Sequence, residues 1–144
     1  MDDRYIRFAE VSASLDDTLS RSFYAEVEKL GLGRGQPKIL RFLESHNGCC
    51  QQDIAAYFCL RAASISASLD KLASAGLIER RPNPKSRRET LIFLTELGHQ
   101  KAQEVLPLYD RLSQQCFKYL TPAEFDQLLD YMQRIIRAGK EDSL

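Results

Sequence analysis

Residues 61–95, RAASISASLDKLASAGLIERRPNPKSRRETLIFLT, decide the fold. The stretch opens as a helix over residues 62–75, in which Ile65, Leu69 and Leu72 recur at steps of four and three, the spacing that keeps one face of a 3.6-residue period inward. The remaining positions, Ser64, Ser66, Ala67 and Lys71 among them, are short apart from the lysine, so the helix has little bulk on its outer side. Gly76 ends it. Leu77-Ile78-Glu79-Arg80-Arg81 and Thr90-Leu91-Ile92-Phe93-Leu94 then read as two strands, with the basic, proline-marked tip PNPKSRR at residues 82–88 between them. On this spacing the connection is too long for a two-residue hairpin. A positive, tightly turned protrusion beside a helix of small residues suits the grooves of DNA.

The charge distribution supports the same idea. The formal net charge of the chain is zero. Residues 34–95, however, carry ten Lys/Arg against five Asp/Glu, while residues 1–33 net −3 and residues 96–144 net −2. Phosphate binding depends on local positive charge, because each neutralised phosphate releases counterions where the contact is made. Global neutrality therefore does not argue against nucleic acid. Charge alone leaves open a basic face that is merely solvated.

Working outward, Tyr5, Phe8, Val11, Leu15, Leu19, Phe23, Val27 and Leu30 recur at steps of three and four, which predicts one amphipathic helix over residues 3–30, about 40 Å long. The glycine-rich run 31–35 ends it. A helix over 37–46 turns Ile39, Leu40, Phe42 and Leu43 inward and stops at Asn47-Gly48, and a short helix over 51–58 buries Ile54, Ala55 and Phe58. Beyond the strands, Thr95 caps a long helix to about residue 119, with an irregularity expected at Pro107, which has no N–H to donate. Thr121-Pro122-Ala123-Glu124 combines a capping threonine, proline in the first turn and glutamate three residues on, a strong start signal. The last helix carries Phe125, Leu128, Leu129, Met132, Ile135 and Ile136 along one stripe.

With 144 residues and 44% apolar composition, the chain suits one globular domain, burying roughly 68–70% of its unfolded surface. Its start lacks the cationic-then-apolar layout of a secretory signal, and no apolar run approaches the roughly 20 residues of a membrane helix. A cytoplasmic protein without membrane attachment is the expectation. In that compartment Cys49, Cys50, Cys59 and Cys116 are thiols rather than a disulfide framework.

The order of helices and strands describes a mainly α fold with a small β-hairpin: a winged helix-turn-helix core flanked by long helices. Gln52-Asp53-Ile54-Ala55, Ser64-Ile65-Ser66, Leu69-Asp70-Lys71-Leu72, Gly76-Leu77-Ile78-Glu79-Arg80-Arg81, Arg87-Arg88 and Leu94-Thr95-Glu96-Leu97-Gly98 together resemble the MarR family of bacterial and archaeal transcription regulators. The resemblance covers about residues 36–98, and the block from Gly76 to Gly98 is its most specific part. It implies a single MarR-like domain over 1–144, with dimerisation helices at about 3–30 and 96–138. It further implies a sequence-specific DNA-binding regulator, a repressor answering to a ligand or to redox state, acting as a homodimer on a pseudo-palindromic operator. Ser64, Ser66 and Lys71 would face the major groove or its phosphates, Arg61 the backbone at its edge, Arg88 the minor groove, and Lys85 and Arg87 phosphates. The chain departs from the family pattern at Ser86, where an aspartate usually braces the wing arginine, and at Arg61 and Ala67, where a capping hydroxyl and a longer polar side chain are common. Specificity would then lean on DNA shape.

The regulatory signal is open on the sequence. The family often takes a small aromatic or anionic effector, or oxidises a cysteine. Cys49 and Cys50 precede a helix start, whose amides could lower a thiol pKa, and Cys59 lies in the turn of the helix-turn-helix. Inert small thiols are the alternative. His46 with Cys49 and Cys50 lacks a second well-separated ligand pair, so no metal or other cofactor is expected. An enzyme is not expected either, since there is no Gly-rich phosphate loop and no nucleophile beside a base. The rival reading is a winged-helix module that docks a protein partner and does not bind specific DNA.

Overall fold

A computed structural model describes residues 2–142. The chain groups into two compact units that divide between Leu108 and Tyr109. In the first, α1 (Asp3–Leu19), a π-helical turn (Ser20–Tyr24) and α2 (Ala25–Lys29) follow one another without a break. The sequence predicts a regular helix here. The π turn coincides with hydroxyls that compete for the helix carbonyls: Thr18 donates to the Ser14 carbonyl (2.9 Å), Ser20 to Asp16 (2.7 Å) and Ser22 to Thr18 (3.0 Å). Such back-bonding bends helices and loosens the regular ladder. Arg34 reinforces the place, stacking 4.1 Å over the Tyr24 ring and bonding both the Ser20 hydroxyl and Asp16.

Next come α3 (Gln36–Ser45), the short strand β1 (Cys49–Cys50), α4 (Gln51–Phe58), α5 (Ala62–Ser74), β2 (Ile78–Asn83) and β3 (Ser86–Leu94). Val27, Ile39, Leu40, Leu43, Ile54, Ile65, Leu69, Leu72, Ile92, Ala102 and Val105 are fully or almost fully buried and form the core on which α3, α4, α5 and the sheet converge. The expected inward faces of α3 and α5 are the observed ones. Gly48, at φ +83°, lets the chain turn from α3 into β1, and a Cβ there would stand 2.9 Å from the Phe93 ring.

The sheet is antiparallel in the order β1-β3-β2. β1 was not anticipated, because a two-residue strand offers no periodicity to read. It pairs Cys49 with Ile92 and Cys50 with Leu91. The hairpin also differs from expectation: its strands run on to Asn83 and Ser86, which pair with each other across a two-residue turn at Pro84 and Lys85. The extra length is taken up on one strand. Register runs regularly from Ile78↔Leu94 to Pro82↔Thr90, then jumps to Asn83↔Ser86, leaving residues 87–89 of β3 without partners on β2. Such a bulge tolerates Pro82 near the tip of an edge strand.

α6 (Glu96–Cys116) starts at Thr95, whose hydroxyl accepts the Gly98 amide (3.0 Å) and donates to the Gly76 carbonyl (2.6 Å). It runs through Pro107 as helix. In the second unit, α7 (Pro122–Glu141) opens with the full capping box read from the sequence: Thr121 accepts the Glu124 amide (3.2 Å) and Glu124 accepts the Thr121 amide (2.9 Å). Phe117 and Phe125 meet edge to face at 4.9 Å. Among the described residues, no helix is long and apolar enough to cross a membrane.

Candidate nucleic-acid interface

The helix-turn-helix is α4, a tight turn, and α5. The turn is made by Cys59, which ends α4 in the left-handed conformation at φ +55°, and its amide returns to the Ala56 carbonyl (3.2 Å). Beneath it Phe42 stacks on His46 at 4.1 Å and meets Tyr57 and Phe58, setting α3 against α4 with aromatic contacts.

On α5 the burial of Ile65, Leu69 and Leu72 turns Ala63, Ala67, Asp70, Lys71 and Ser74 away from the core. Small residues occupy most of that face. Arg61 is the N-cap and makes no side-chain capping bond, so its exposed guanidinium is available beside the helix start. Ser64 is exposed near Lys71, one turn and three residues on. Ser66 is not beside them. Two residues rotate the helix by about 200°, so Ser66 falls half-buried on the opposite flank, where its carbonyl accepts Arg80 Nη2 at 3.4 Å.

That contact belongs to an arrangement the sequence reading missed. Arg80 of β2 also forms an ion pair with Asp70 of α5 at 2.6 Å, and its side chain is largely covered. One guanidinium thus ties the helix to the root of the hairpin. Only the spacing of Asp70 in the helix and Arg80 four residues past Gly76 hinted at it. The next residue, Arg81, is held by Glu79 (3.0 Å) and lies 4.3 Å over the Phe93 ring.

At the tip, Lys85, Arg87 and Arg88 are exposed. Among the described residues no carboxylate pairs with them, nor with Arg61 or Lys71, whereas Arg80 and Arg81 are both paired. Ser86, which stands where the family usually has its bracing aspartate, is not what holds the tip. Asn83 does so: its Nδ2 donates to Glu89 Oε2 (2.9 Å) and its Oδ1 accepts the Lys85 amide (3.0 Å).

The cysteines do not behave as the helix-start argument expects. Burial pushes the Cys49 thiol up to about 11, with Asp53 and Cys50 adding to the rise. Cys50 is also raised, by burial and then by its hydrogen bond to the Asp53 carboxylate. Burial and a nearby negative charge outweigh the amides of an eight-residue helix. Cys59 is exposed. An open cavity of about 350 Å³ lies among Leu43, Glu44, Asn47, Leu94, Thr95, Glu96 and His99, where His99 Nδ1 stands 2.7 Å from Glu44 Oε1. Its two carboxylates disfavour an anionic effector there.

The comparisons with known proteins agree with this architecture. Residues 32–90 match the model of the MarR family. The HTH-type transcriptional regulator BilQ of Clostridium symbiosum (strain WAL-14163) is 25% identical over 111 residues, 77% of each chain. The HTH-type transcriptional repressor MdtR of Bacillus subtilis (strain 168) is 27% identical over 116 residues, 81% of this chain and 75% of that one. The crystal structure of a mutant MarR from E. coli complexed with operator DNA superposes with a TM-score of 0.79 at 22% identity, covering 92% of this chain and 96% of that one. A family model lying over the helix-turn-helix and wing, relatives named as HTH-type regulators and the shared fold converge: residues 32–90 of this chain match the MarR family, and the chain is similar in sequence to HTH-type transcriptional regulators and in fold to MarR structures.

Proposed function

We propose that the protein is a homodimeric repressor that binds a pseudo-palindromic DNA site, with α5 in the major groove and the β2–β3 wing in the adjacent minor groove. The observation that carries this reading is the set of unpaired cations, Arg61, Lys71, Lys85, Arg87 and Arg88, spread around a helix face of small residues and a projecting tip. Cations left without carboxylates suit phosphates and narrow minor grooves, where negative potential is concentrated. Lys71 and Ser64 serve phosphates or base edges, Ser66 contributes its backbone to the helix-wing tie, and Arg88 enters the minor groove. The small face of α5 offers few long side chains for base edges, so the site is read in large part through shape and deformability.

A second copy of the chain is needed to cover the long helices. Tyr5, Phe8, Val11 and Leu15 on α1 are 44–72% exposed, and Leu128, Leu129, Met132, Ile135 and Ile136 on α7 are 36–52% exposed. An exposed apolar stripe on each of these helices marks an interface. Two-fold symmetry then sets the recognition helices one DNA turn apart, roughly 34–36 Å. Release is triggered by a small effector or by oxidation, in which case exposed Cys59, rather than Cys49 or Cys50, is the thiol favoured to react first.

Footprinting of the full chain on the promoter regions of its own and neighbouring genes tests this. The expected result is a two-fold symmetric, salt-sensitive footprint and higher transcription from that promoter when the protein is absent. Retention on an acidic protein partner with no preference among DNA sequences would replace it with the docking-module reading.

A further inference from the structure

We infer that Asn83 and Glu89 are positioning residues for the wing arginines, working as a clasp that orders the tip before DNA arrives. The inference rests on the DNA reading above and deepens it. Register shows why a clasp is needed: after Pro82↔Thr90 the ladder resumes only at Asn83↔Ser86, so Arg87, Arg88 and Glu89 have no partners on β2. Three unpaired residues at a hairpin tip would sample many conformations. Glu89 is half-buried and its Oε2 accepts from Asn83 Nδ2 at 2.9 Å, a side-chain bond that spans the bulge where the ladder has none. The same Asn83 uses its Oδ1 to hold the Lys85 amide at 3.0 Å.

The two ends of one amide therefore hold the two sides of the tip. A backbone N–H demands the oxygen and a carboxylate demands the NH2, so Asn83 has one orientation and cannot rotate without losing both bonds. The choice of a carboxylate is informative. Glu89 pairs with neither Arg87 nor Arg88, so it does not neutralise them, and its charge beside a phosphate-binding tip opposes association. A residue that weakens binding through its charge and is nonetheless built into the clasp acts through geometry. Ordering a residue before binding, instead of upon it, raises affinity by about tenfold.

The charge and the clasp are separable at Glu89. Glu89→Gln keeps a carbonyl oxygen for Asn83 Nδ2 and removes the charge; Glu89→Ala removes both. Affinities of the full-length variants for the footprinted DNA, measured at one low salt concentration, are expected to place Glu89→Gln at or tighter than the wild type and Glu89→Ala about tenfold weaker than Glu89→Gln. That gap is expected to close to within about twofold when Arg87 and Arg88 are both alanine, since a clasp has nothing left to aim. Equal affinities for the Gln and Ala variants, with Arg88→Ala still weakened, would overturn the clasp and leave the DNA wing standing. A gap that persists without the arginines would reduce Asn83 and Glu89 to a merely structural role. Arg88→Ala binding like the wild type would overturn the wing itself, and the clasp with it.

Discussion

Cys49 lies one residue before the N-cap of α4, yet its partly buried surroundings disfavour a thiolate. With the thiol pushed up to about 11, roughly one molecule in a thousand carries Cys49 as thiolate at pH 8. Raising the pH toward 11 should therefore accelerate its alkylation steadily, while exposed Cys59 is labelled first at neutral pH. Mass spectrometry after brief iodoacetamide treatment checks this, and early labelling of Cys49 at pH 7 would contradict it. The residue scale also shows what a sequence displays and what it hides. Lys85, Arg87 and Arg88 were legible because cations beside prolines and short polar residues advertise a solvent-exposed tip. Asp70–Arg80 and Asn83–Glu89 were not, since each pair is created by tertiary placement: the first by the approach of β2 to α5, the second by a register jump that no periodicity encodes. The partial burial of Cys49 and Cys50 was hidden for the same reason, because it follows from a two-residue strand.

Among the elements, apolar periodicity located the helices, with α6 ending three residues before the expected 119, and the capping box placed the start of α7. Departures arose where side chains compete with the backbone, as the hydroxyls of Thr18, Ser20 and Ser22 do at the π turn, and where strand pairing extends past the apolar run, as in the wing. Gly98 joins two elements. A Cβ there would come 1.9 Å from the Leu77 carbonyl oxygen, so glycine is what lets the first turn of α6 press against the entry to β2. Gly98→Ala is expected to cost about 1–3 kcal/mol of stability through overpacking, since the obstacle is backbone. Chemical denaturation measures it, and an unchanged midpoint would refute the close approach. The start of α7 offers a second check. Glu124 is held below its ordinary carboxylate value by the Thr121 amide and hydroxyl, so the carboxylate half of the box is at full strength at neutral pH and weakens as acid protonates Glu124. Thr121→Ala should destabilise the helix start by about 1 kcal/mol at neutral pH. That difference should shrink as the pH falls through the titration of Glu124.

For the whole molecule, association and DNA binding are separate claims. Leu129 and Ile136 are 42% and 47% exposed on α7, so placing lysine at both should leave each chain folded while burying charge in the proposed dimer interface. Analytical ultracentrifugation is expected to show a shift from dimer to monomer, and an unchanged dimer would move the interface elsewhere. The central claim, that unpaired cations at the tip of the wing grip DNA, is tested most directly by a salt titration of wild type and Arg88→Ala on the footprinted site. The account predicts that Arg88→Ala weakens binding by about 1–3 kcal/mol and lowers the slope of log K against log salt by about 1 per subunit. Superimposable lines for the two proteins would contradict it.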